Sequence, residues 1–322
     1  MRILVTGASG FVGRRLCSNL IEQGHEVIAV VRQQTSVIFE NHESLRVVII
    51  DNINAETDWR DVLDSAEVVV HLAARVHVMN ETLADAWKAY RKINVGGTER
   101  LARAAAIAKV KLFVFLSSIK VNGEVTQDQP FSSQSAVNPQ DPYAVSKWEA
   151  EQVLQRISDE TGMEVVILRP PLVYGPGVKA NYLCLLHWID RGIPLPLASV
   201  DNRRSMIYLG NLVDAMIACI QNPLAVGKTY LISDGEDVST PDLIRQIANS
   251  MHKPDYLWRC PEVILRGVAR LAAKSSELDR LLSSLQVDSS KIREDLHWVP
   301  PYSLEQGIAA TVEWFQGSTS IC

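Results

Sequence analysis

Arg2-Ile3-Leu4-Val5-Thr6-Gly7-Ala8-Ser9-Gly10-Phe11-Val12-Gly13 is the stretch on which the reading of this chain turns. Between Arg2 and Thr6 the run is apolar and short, the pattern of a buried strand. Beyond Gly13, Leu16, Leu20 and Ile21 recur at helical spacing. Strand, glycine loop and helix in that order are the context a dinucleotide fingerprint requires. Gly7 permits the tight turn, Gly10 lets the backbone approach a pyrophosphate, and Gly13 lets the helix pack close to the strand. The helix N-terminus then offers free N–H groups to the phosphates. A glycine triplet by itself also serves plain turns; the placement after a strand and before a helix gives it meaning.

Short apolar runs continue outward from this unit at Val27–Val31, Val47–Ile50, Val68–Leu72, Phe113–Leu116 and Val165–Leu168, alternating with helical stretches. That alternation predicts an α/β fold, a doubly wound parallel sheet with helices on both faces. After Tyr174 the pattern loosens. Gly175-Pro176-Gly177 marks a turn, a helix follows through Leu186 and Ile189, and short strands are expected near Met206–Tyr208 and Thr229–Ser233. Helices are expected near Pro241–Ser250, Val263–Ala273 and Leu304–Phe315. The division is residues 1–174 as a nucleotide-binding domain, 175–316 mainly as a smaller C-terminal α/β substrate lobe, and 317–322 as a loose tail.

Asp141-Pro142-Tyr143-Ala144-Val145-Ser146-Lys147 carries the chemistry. Asp141 suits an N-cap and Pro142 a first helical turn, so Tyr143 and Lys147 would project from one face of the helix opening. A free phenol holds its proton near pH 7, and a neighbouring ammonium favours the phenolate and lowers its pKa. An isolated Y-x-x-x-K pair also occurs on ordinary surface helices; the upstream glycine loop is what gives this one a hydride-transfer reading.

Bulk properties exclude other classes. Net charge is 32 − 37 = −5 with no basic stripe, which argues against nucleic acid as a partner. No apolar run approaches a membrane span, and the N-terminus opens directly into a strand, so the expectation is a cytoplasmic protein without a signal peptide. Cys17, Cys184, Cys219, Cys260 and Cys322 are scattered without C-x-x-C spacing, and the seven histidines form no H-x-x-x-H pattern. No metal is expected.

The G-x-x-G-x-x-G spacing together with Tyr143 and Lys147 resembles the extended short-chain dehydrogenase/reductase superfamily, in particular the NAD-dependent epimerases and dehydratases of nucleotide sugars. Further matches stand in family order: His71-Leu72-Ala73-Ala74, Asn94-Val95-Gly96-Gly97-Thr98, Ser117-Ser118, Arg169-Pro170, Val173-Tyr174-Gly175-Pro176 and Arg203-Arg204-Ser205. The resemblance implies a Rossmann-type nucleotide domain to which the chain returns over about residues 205–238. It implies cofactor contacts from Gly7, Gly10, Phe11, Val12, Gly13, Asp51, Asn52, Leu72, Ala73, Ala74, Asn94, Ser117, Tyr143, Lys147, Pro170 and Val173. Asp51 and Asn52 match positions that contact adenine. It also implies a homodimer built as a four-helix bundle from helices at about Leu83–Ala108 and Pro142–Thr161.

The end of the second strand bears on which nicotinamide cofactor is used. An acid there bonds the ribose hydroxyls and repels a 2′-phosphate. Here Val31 is followed by Arg32-Gln33-Gln34. An arginine fork suits a phosphate, which favours NADP(H) while leaving NAD(H) possible.

By resemblance, Ser118 is the third catalytic hydroxyl and bonds the substrate oxygen, Tyr143 exchanges the proton with that oxygen, and Lys147 holds the nicotinamide ribose and lowers the tyrosine pKa. The acidic pair that 4,6-dehydratases carry at the next two positions is replaced by Ile119 and Lys120, which disfavours dehydration. Arg32 then favours a 4-ketoreductase. Ser117 to Glu124 and Arg169 to Asn181 look like bacterial reductases of UDP-2-acetamido-2,6-dideoxy-4-hexuloses, whose UDP-N-acetylquinovosamine-type products enter surface polysaccharide such as O-antigen. A UDP-hexose or UDP-N-acetylhexosamine 4-epimerase with bound NAD is the alternative. A cofactor-sensing regulator without chemistry is the remote one, because such proteins lose the tyrosine–lysine pair kept here.

For a UDP-sugar substrate, the resemblance assigns Arg204 to the diphosphate, Asn181 to the nucleotide-sugar and Pro194 to Leu197 to the uracil. Two departures bear on the sugar. Leu172 replaces an asparagine common in epimerases, and Arg280 is only a stand-in for a displaced Arg-x-x-Asp pair. Arg75 and His77 follow the fourth strand and face either the sugar or solvent.

Overall fold

The computed structural model describes residues 1–32, 42–76, 83–261, 263–265, 279 and 281–319. Strand β1 (Arg2–Thr6) is central to a seven-stranded sheet. On one side lie β2 (Glu26–Val31) and β3 (Leu45–Ile49). On the other lie β4 (Val68–His71), β5 (Leu112–Leu116), β6 (Glu164–Arg169) and β9 (Thr229–Leu231). The order is β3-β2-β1-β4-β5-β6-β9, and every pairing is parallel.

The inner strands of such a sheet are covered on both faces, which is why they are largely apolar instead of alternating, whereas edge strand β3 leaves Arg46, Val47 and Ile49 exposed. Ile3 and Val5 face α1 (Phe11–Glu22) through Leu16 and Leu20, and α6 (Leu209–Gln221) through Leu212 and Met216. Leu4 faces the opposite layer, where Leu101 and Ala105 of α3 (Thr98–Ile107) meet Leu154 and Ile157 of α4 (Pro142–Thr161). Each fully buried leucine or isoleucine contributes about 1.5–3 kcal/mol of transfer free energy. The doubly wound α/β sheet expected from the sequence is the observed fold.

Helix α4 forms as its opening residues dictate. The Asp141 carboxylate accepts from the Ala144 amide at 2.7 Å, Pro142 occupies the first turn, and Gly162 ends the helix at φ +75°. The stretch read as one helix at Leu83–Ala108 is three pieces: α2 (Leu83–Tyr90), a π-helical turn at Arg91–Gly97, and α3. The widened turn sits where a Cβ on Gly97 would lie 2.8 Å from Ile53 Cγ2, leaving no room for a side chain. Wide turns of this kind recur at functional sites.

A second sheet, order β10-β8-β7, is built from β7 (Leu172–Tyr174), β8 (Arg204–Tyr208) and β10 (Asp237–Val238). It shares a hydrophobic cluster with α5 (Ala180–Asp190), α7 (Thr240–Ser250) and α9 (Leu304–Thr319). The return to the large sheet is narrower than the expected 205–238. Both β8 and β10 belong to the small sheet, and α6 and β9 pack on the large one. A second return, α8 (Ser290–Leu296) with Trp298, joins that same layer through Ile292 and Leu296. The stretch read as a tail is helical as far as Thr319, where the Ser318 hydroxyl donates to the Trp314 carbonyl at 2.8 Å. Of the helix expected at Val263–Ala273, residues 263–265 are helical and the remainder lies outside the described residues.

One buried polar chain pins β1, β4 and α3 together. Ala73 N–H donates to Thr6 Oγ1 at 3.2 Å, and Thr6 Oγ1 lies 2.6 Å from His71 Nδ1. His71 Nε2 lies 3.0 Å from Thr98 Oγ1, whose own proton goes to the Asn94 carbonyl at 2.6 Å. Thr98 must therefore accept from Nε2–H, and a neutral imidazole leaves Nδ1 to accept the Thr6 proton. Burial accordingly lowers the His71 pKa from 6.5 to about 3. With the folded value below the unfolded one, this contribution is complete above about pH 6.5 and is lost as pH falls toward about 3. We expect urea midpoints to decline across that window, and His71→Gln to flatten the decline; equal slopes for the two proteins would contradict it.

Candidate active site

The switch point of the large sheet, where strand order reverses between β1 and β4, holds the glycine loop. Gly7 adopts φ +68°, and a Cβ there would lie 2.9 Å from the Ala73 amide nitrogen. A Cβ on Gly13 would lie 2.2 Å from the Gly7 carbonyl oxygen. No side chain caps α1, so its first-turn amides are left to an anion. These features fit a dinucleotide diphosphate. Phe11 and Val12 pack at the loop, and the Phe11 ring meets Gly177, joining the loop to the second lobe. Leu72, Ala73 and Ala74 are half-buried after β4, with Leu72 N–H donating to Thr6 O at 3.3 Å. Arg32, Asp51 and Asn52 are exposed beyond the ends of β2 and β3, and Gln33 and Gln34 lie outside the described residues.

Ser118, Tyr143 and Lys147 converge from two elements. Ser118 follows β5 and caps a 3₁₀ turn at Ile119–Val121 by accepting from the Lys120 amide at 3.3 Å, and its side chain lies near enough to the Tyr143 phenol to favour the ionised form. Tyr143 and Lys147 stand one turn apart at the opening of α4. Lys147 is 2% exposed, with its ammonium 4.0 Å from the centroid of the Phe115 ring. Tyr90, at the end of α2, meets Tyr143 edge-on at 6.1 Å.

The expectation that Lys147 lowers the tyrosine pKa is not what the protein groups alone produce. Burial pushes the Tyr143 phenol up, and the nearby Asp141 charge adds to this while the Ser118 side chain opposes it. Burial also pushes Lys147 down to about 7, against the Glu151 carboxylate, which raises it. Desolvation is the largest influence on both groups, Lys147 being buried and Tyr143 half-buried.

Ile119 and Lys120 occupy the positions of the dehydratase acids. Ile119 is buried against Leu231, Leu285 and Val287. The Lys120 ammonium is held by Glu124 at 2.7 Å and Asp141 at 2.6 Å. The first side chain carries no exchangeable proton, and the second is ion-paired to two carboxylates.

Other expected residues are committed to the framework. Asn94 is buried, accepts from Arg75 N–H at 2.7 Å, and donates to the Arg75 carbonyl and the Ser146 hydroxyl. The Ser117 hydroxyl donates to Glu151. The Pro170 carbonyl accepts from Ile119 N–H at 2.9 Å, and Val173 pairs with Ile207 across β7 and β8. Asn181 is exposed in the first turn of α5, and Leu172 is exposed on β7. Arg204 donates to the Ser283 carbonyl at 2.9 Å. Arg280 and His77 lie outside the described residues. Arg75 places its guanidinium 5.9 Å from the Tyr90 ring centroid, on the Tyr143 side of the fold. Residues 284–288 run between β8 and the loop at 126–131: Leu285 bonds the backbone of β8, and Gln286 and Asp288 bond Phe131. That strap had no signal in the sequence, and neither did Tyr90. Glu151 had one, its i+4 spacing from Lys147.

Residues 3–233 match the NAD dependent epimerase/dehydratase family. The chain belongs to that family and is an NAD-dependent nucleotide-sugar enzyme of the extended short-chain dehydrogenase/reductase type. It is 40% identical over 320 residues to a UDP-glucose 4-epimerase of Vibrio cholerae, covering 97% of this chain and 95% of that one. Among solved structures it is similar to UDP-glucuronic acid 4-epimerase from Bacillus cereus in complex with NAD, with a TM-score of 0.79 at 21% identity, covering 99% and 98% of the two chains. A dTDP-glucose 4,6-dehydratase from Streptomyces venezuelae with NAD matches with a TM-score of 0.80 at 22% identity, over 100% and 98%. At those identities the structures establish the fold, which epimerases and dehydratases share. No helix among the described residues is long and apolar enough to cross a membrane, and no cluster of metal-binding side chains occurs among them.

Gly13→Ala must displace the loop carbonyl to fit its methyl. It should cost about 1–3 kcal/mol of stability by overpacking and weaken NAD affinity by at least about tenfold. Thermal melts and calorimetric titration with NAD check both; unchanged affinity would contradict the cradle.

Proposed function

We propose that this enzyme interconverts the C4 epimers of a UDP-hexose or UDP-N-acetylhexosamine and keeps NAD bound through the cycle. The observation that carries this reading is the near full-length 40% identity to a UDP-glucose 4-epimerase. The site supports it: one hydroxyl pair, Ser118 and Tyr143, is available for proton exchange at a single oxygen, with Ile119 buried and Lys120 ion-paired beside it. Bound NAD would supply the acceptor and donor for hydride at C4. Tyr143 takes the proton from the C4 hydroxyl and returns it, a role that general acid–base catalysis values at about 10²–10⁴ in rate. Ser118 bonds that same oxygen and fixes its direction. Lys147 holds the nicotinamide ribose and, once a ribose orders it against the phenol, favours the phenolate. Asn181 and Arg204 bind the nucleotide diphosphate side. The exposed Leu172 stands where epimerases commonly carry an asparagine, so that contact to the sugar is not made by this residue.

A second reading rests on Arg32, exposed at the end of β2 where an acid would select NAD. It makes the enzyme an NADPH-dependent reductase of a UDP-4-keto-6-deoxy-N-acetylhexosamine.

Incubation with UDP-glucose and with UDP-N-acetylglucosamine should give the 4-epimers without net cofactor use. NADPH consumption with the 4-keto sugar, and no epimer from either substrate, would establish the reductase instead. Tyr143→Phe should lower kcat by about 10²–10⁴ while NAD affinity stays within a few-fold of the parent. Activity equal to the parent enzyme would remove Tyr143 from the mechanism.

A further inference from the structure

Lys147 is an ammonium removed from water, and no carboxylate among the described residues hydrogen-bonds it. Three elements surround it. Strand β4 presents the neutral His71, β5 presents the face of Phe115, and α4 presents Tyr143 one turn earlier and Glu151 one turn later. Glu151 is the only one of these carrying a negative charge at neutral pH, and it too is 2% exposed. Its carboxylate is gripped by Arg169, through Nε to Oε1 at 3.0 Å and Nη2 to Oε2 at 2.5 Å, and by the Ser117 hydroxyl. Arg169 is fixed in turn by Asn122 Oδ1 at 3.0 Å and by the Trp148 ring at 5.7 Å. The network joins the end of β5 beside Ser118, the helix that carries Tyr143 and Lys147, and the end of β6 beside Pro170.

We propose that Glu151 and Arg169 are a positioning pair for the catalytic lysine: the Glu151 carboxylate keeps Lys147 protonated in its buried seat, and the two-point grip of Arg169 holds that carboxylate directed away from the lysine. The proposal rests on the reading of Lys147 as the group that holds the cofactor ribose. The electrostatics agree in sign, since Glu151 opposes the desolvation that draws Lys147 down to about 7. A carboxylate free to rotate would close on the ammonium and withdraw it from the ribose; the two-point grip of Arg169 prevents this. Without the carboxylate, the buried Arg169 charge would add repulsion to desolvation, and Lys147 would lose its proton at lower pH.

The test uses the full chain with Glu151→Gln and, because a lone buried Arg169 charge threatens folding, the charge-neutral double variant Glu151→Gln/Arg169→Met. Circular dichroism selects folded protein. NAD affinity by calorimetry and epimerase turnover are each followed over a pH series from mildly acid to mildly alkaline. In Glu151→Gln the midpoint of the alkaline loss should move down by about one pH unit in both measurements. The double variant should shift in the same direction but less, because the repelling guanidinium is gone. Midpoints at the parental pH in either folded variant, with activity or affinity merely scaled down, would show a structural strut and overturn the proposal. NAD affinity reads the lysine whether or not a UDP-sugar turns over, so failure of the epimerase reading and failure of this pair are separable.

Discussion

A lysine ammonium held out of water is the constraint about which the framework of the site is arranged. Lys147 has the edge of the sheet on one side and its own helix on the other. An isolated cation in such a place releases its proton unless something opposes the desolvation. Here the opposition is divided among the Phe115 face, the Glu151 charge one turn along, and whatever the cleft binds. The rigidity of α4 follows from the same need. It is capped by Asp141 at one end and stopped by Gly162 at the other, and its inner face is locked against α3 and the sheet.

The proton chemistry is narrow because its neighbours are occupied. The Lys120 ammonium bridges Glu124 and Asp141, so these two acids serve an ion pair beside the 3₁₀ turn and, for Asp141, the helix cap. Ser118, at the end of β5, favours the ionised form of the tyrosine. A site with one exchangeable hydroxyl pair suits oxidation and reduction at a single carbon–oxygen bond. Proton transfer at two neighbouring carbons needs a second acid, and the two positions after Ser118 hold the buried Ile119 and the ion-paired Lys120 instead. The fold itself does not make that distinction, since it also serves a dehydratase.

Most of the nucleotide half was legible in the sequence because its determinants are local. Gly7 and Gly13 announce their backbone geometry, Asp141 and Pro142 announce a helix start, and strands buried on two faces read as unbroken apolar runs. What was illegible depends on long-range pairing. The Thr6–His71–Thr98 chain links residues 65 and 27 positions apart, and Glu151 finds Arg169 across 18. The strap at 284–288 has no alternation of its own and exists because β8 and the 126–131 loop bond it from both sides. The small sheet blurred the lobe boundary for a related reason. Its strands are two to five residues long, too short to declare a period.

On the proposed reading, hydride leaves and returns at C4 while the proton is exchanged at the oxygen that C4 carries. The most direct measurement follows deuterium at C4 of UDP-glucose through turnover in ordinary water, with mass and NMR analysis of the product. The account predicts the 4-epimer with deuterium still at C4, solvent hydrogen on no other ring carbon, and bound NAD unchanged. Loss of the C4 label to solvent, or solvent hydrogen at a neighbouring carbon with loss of the C6 hydroxyl, would contradict it.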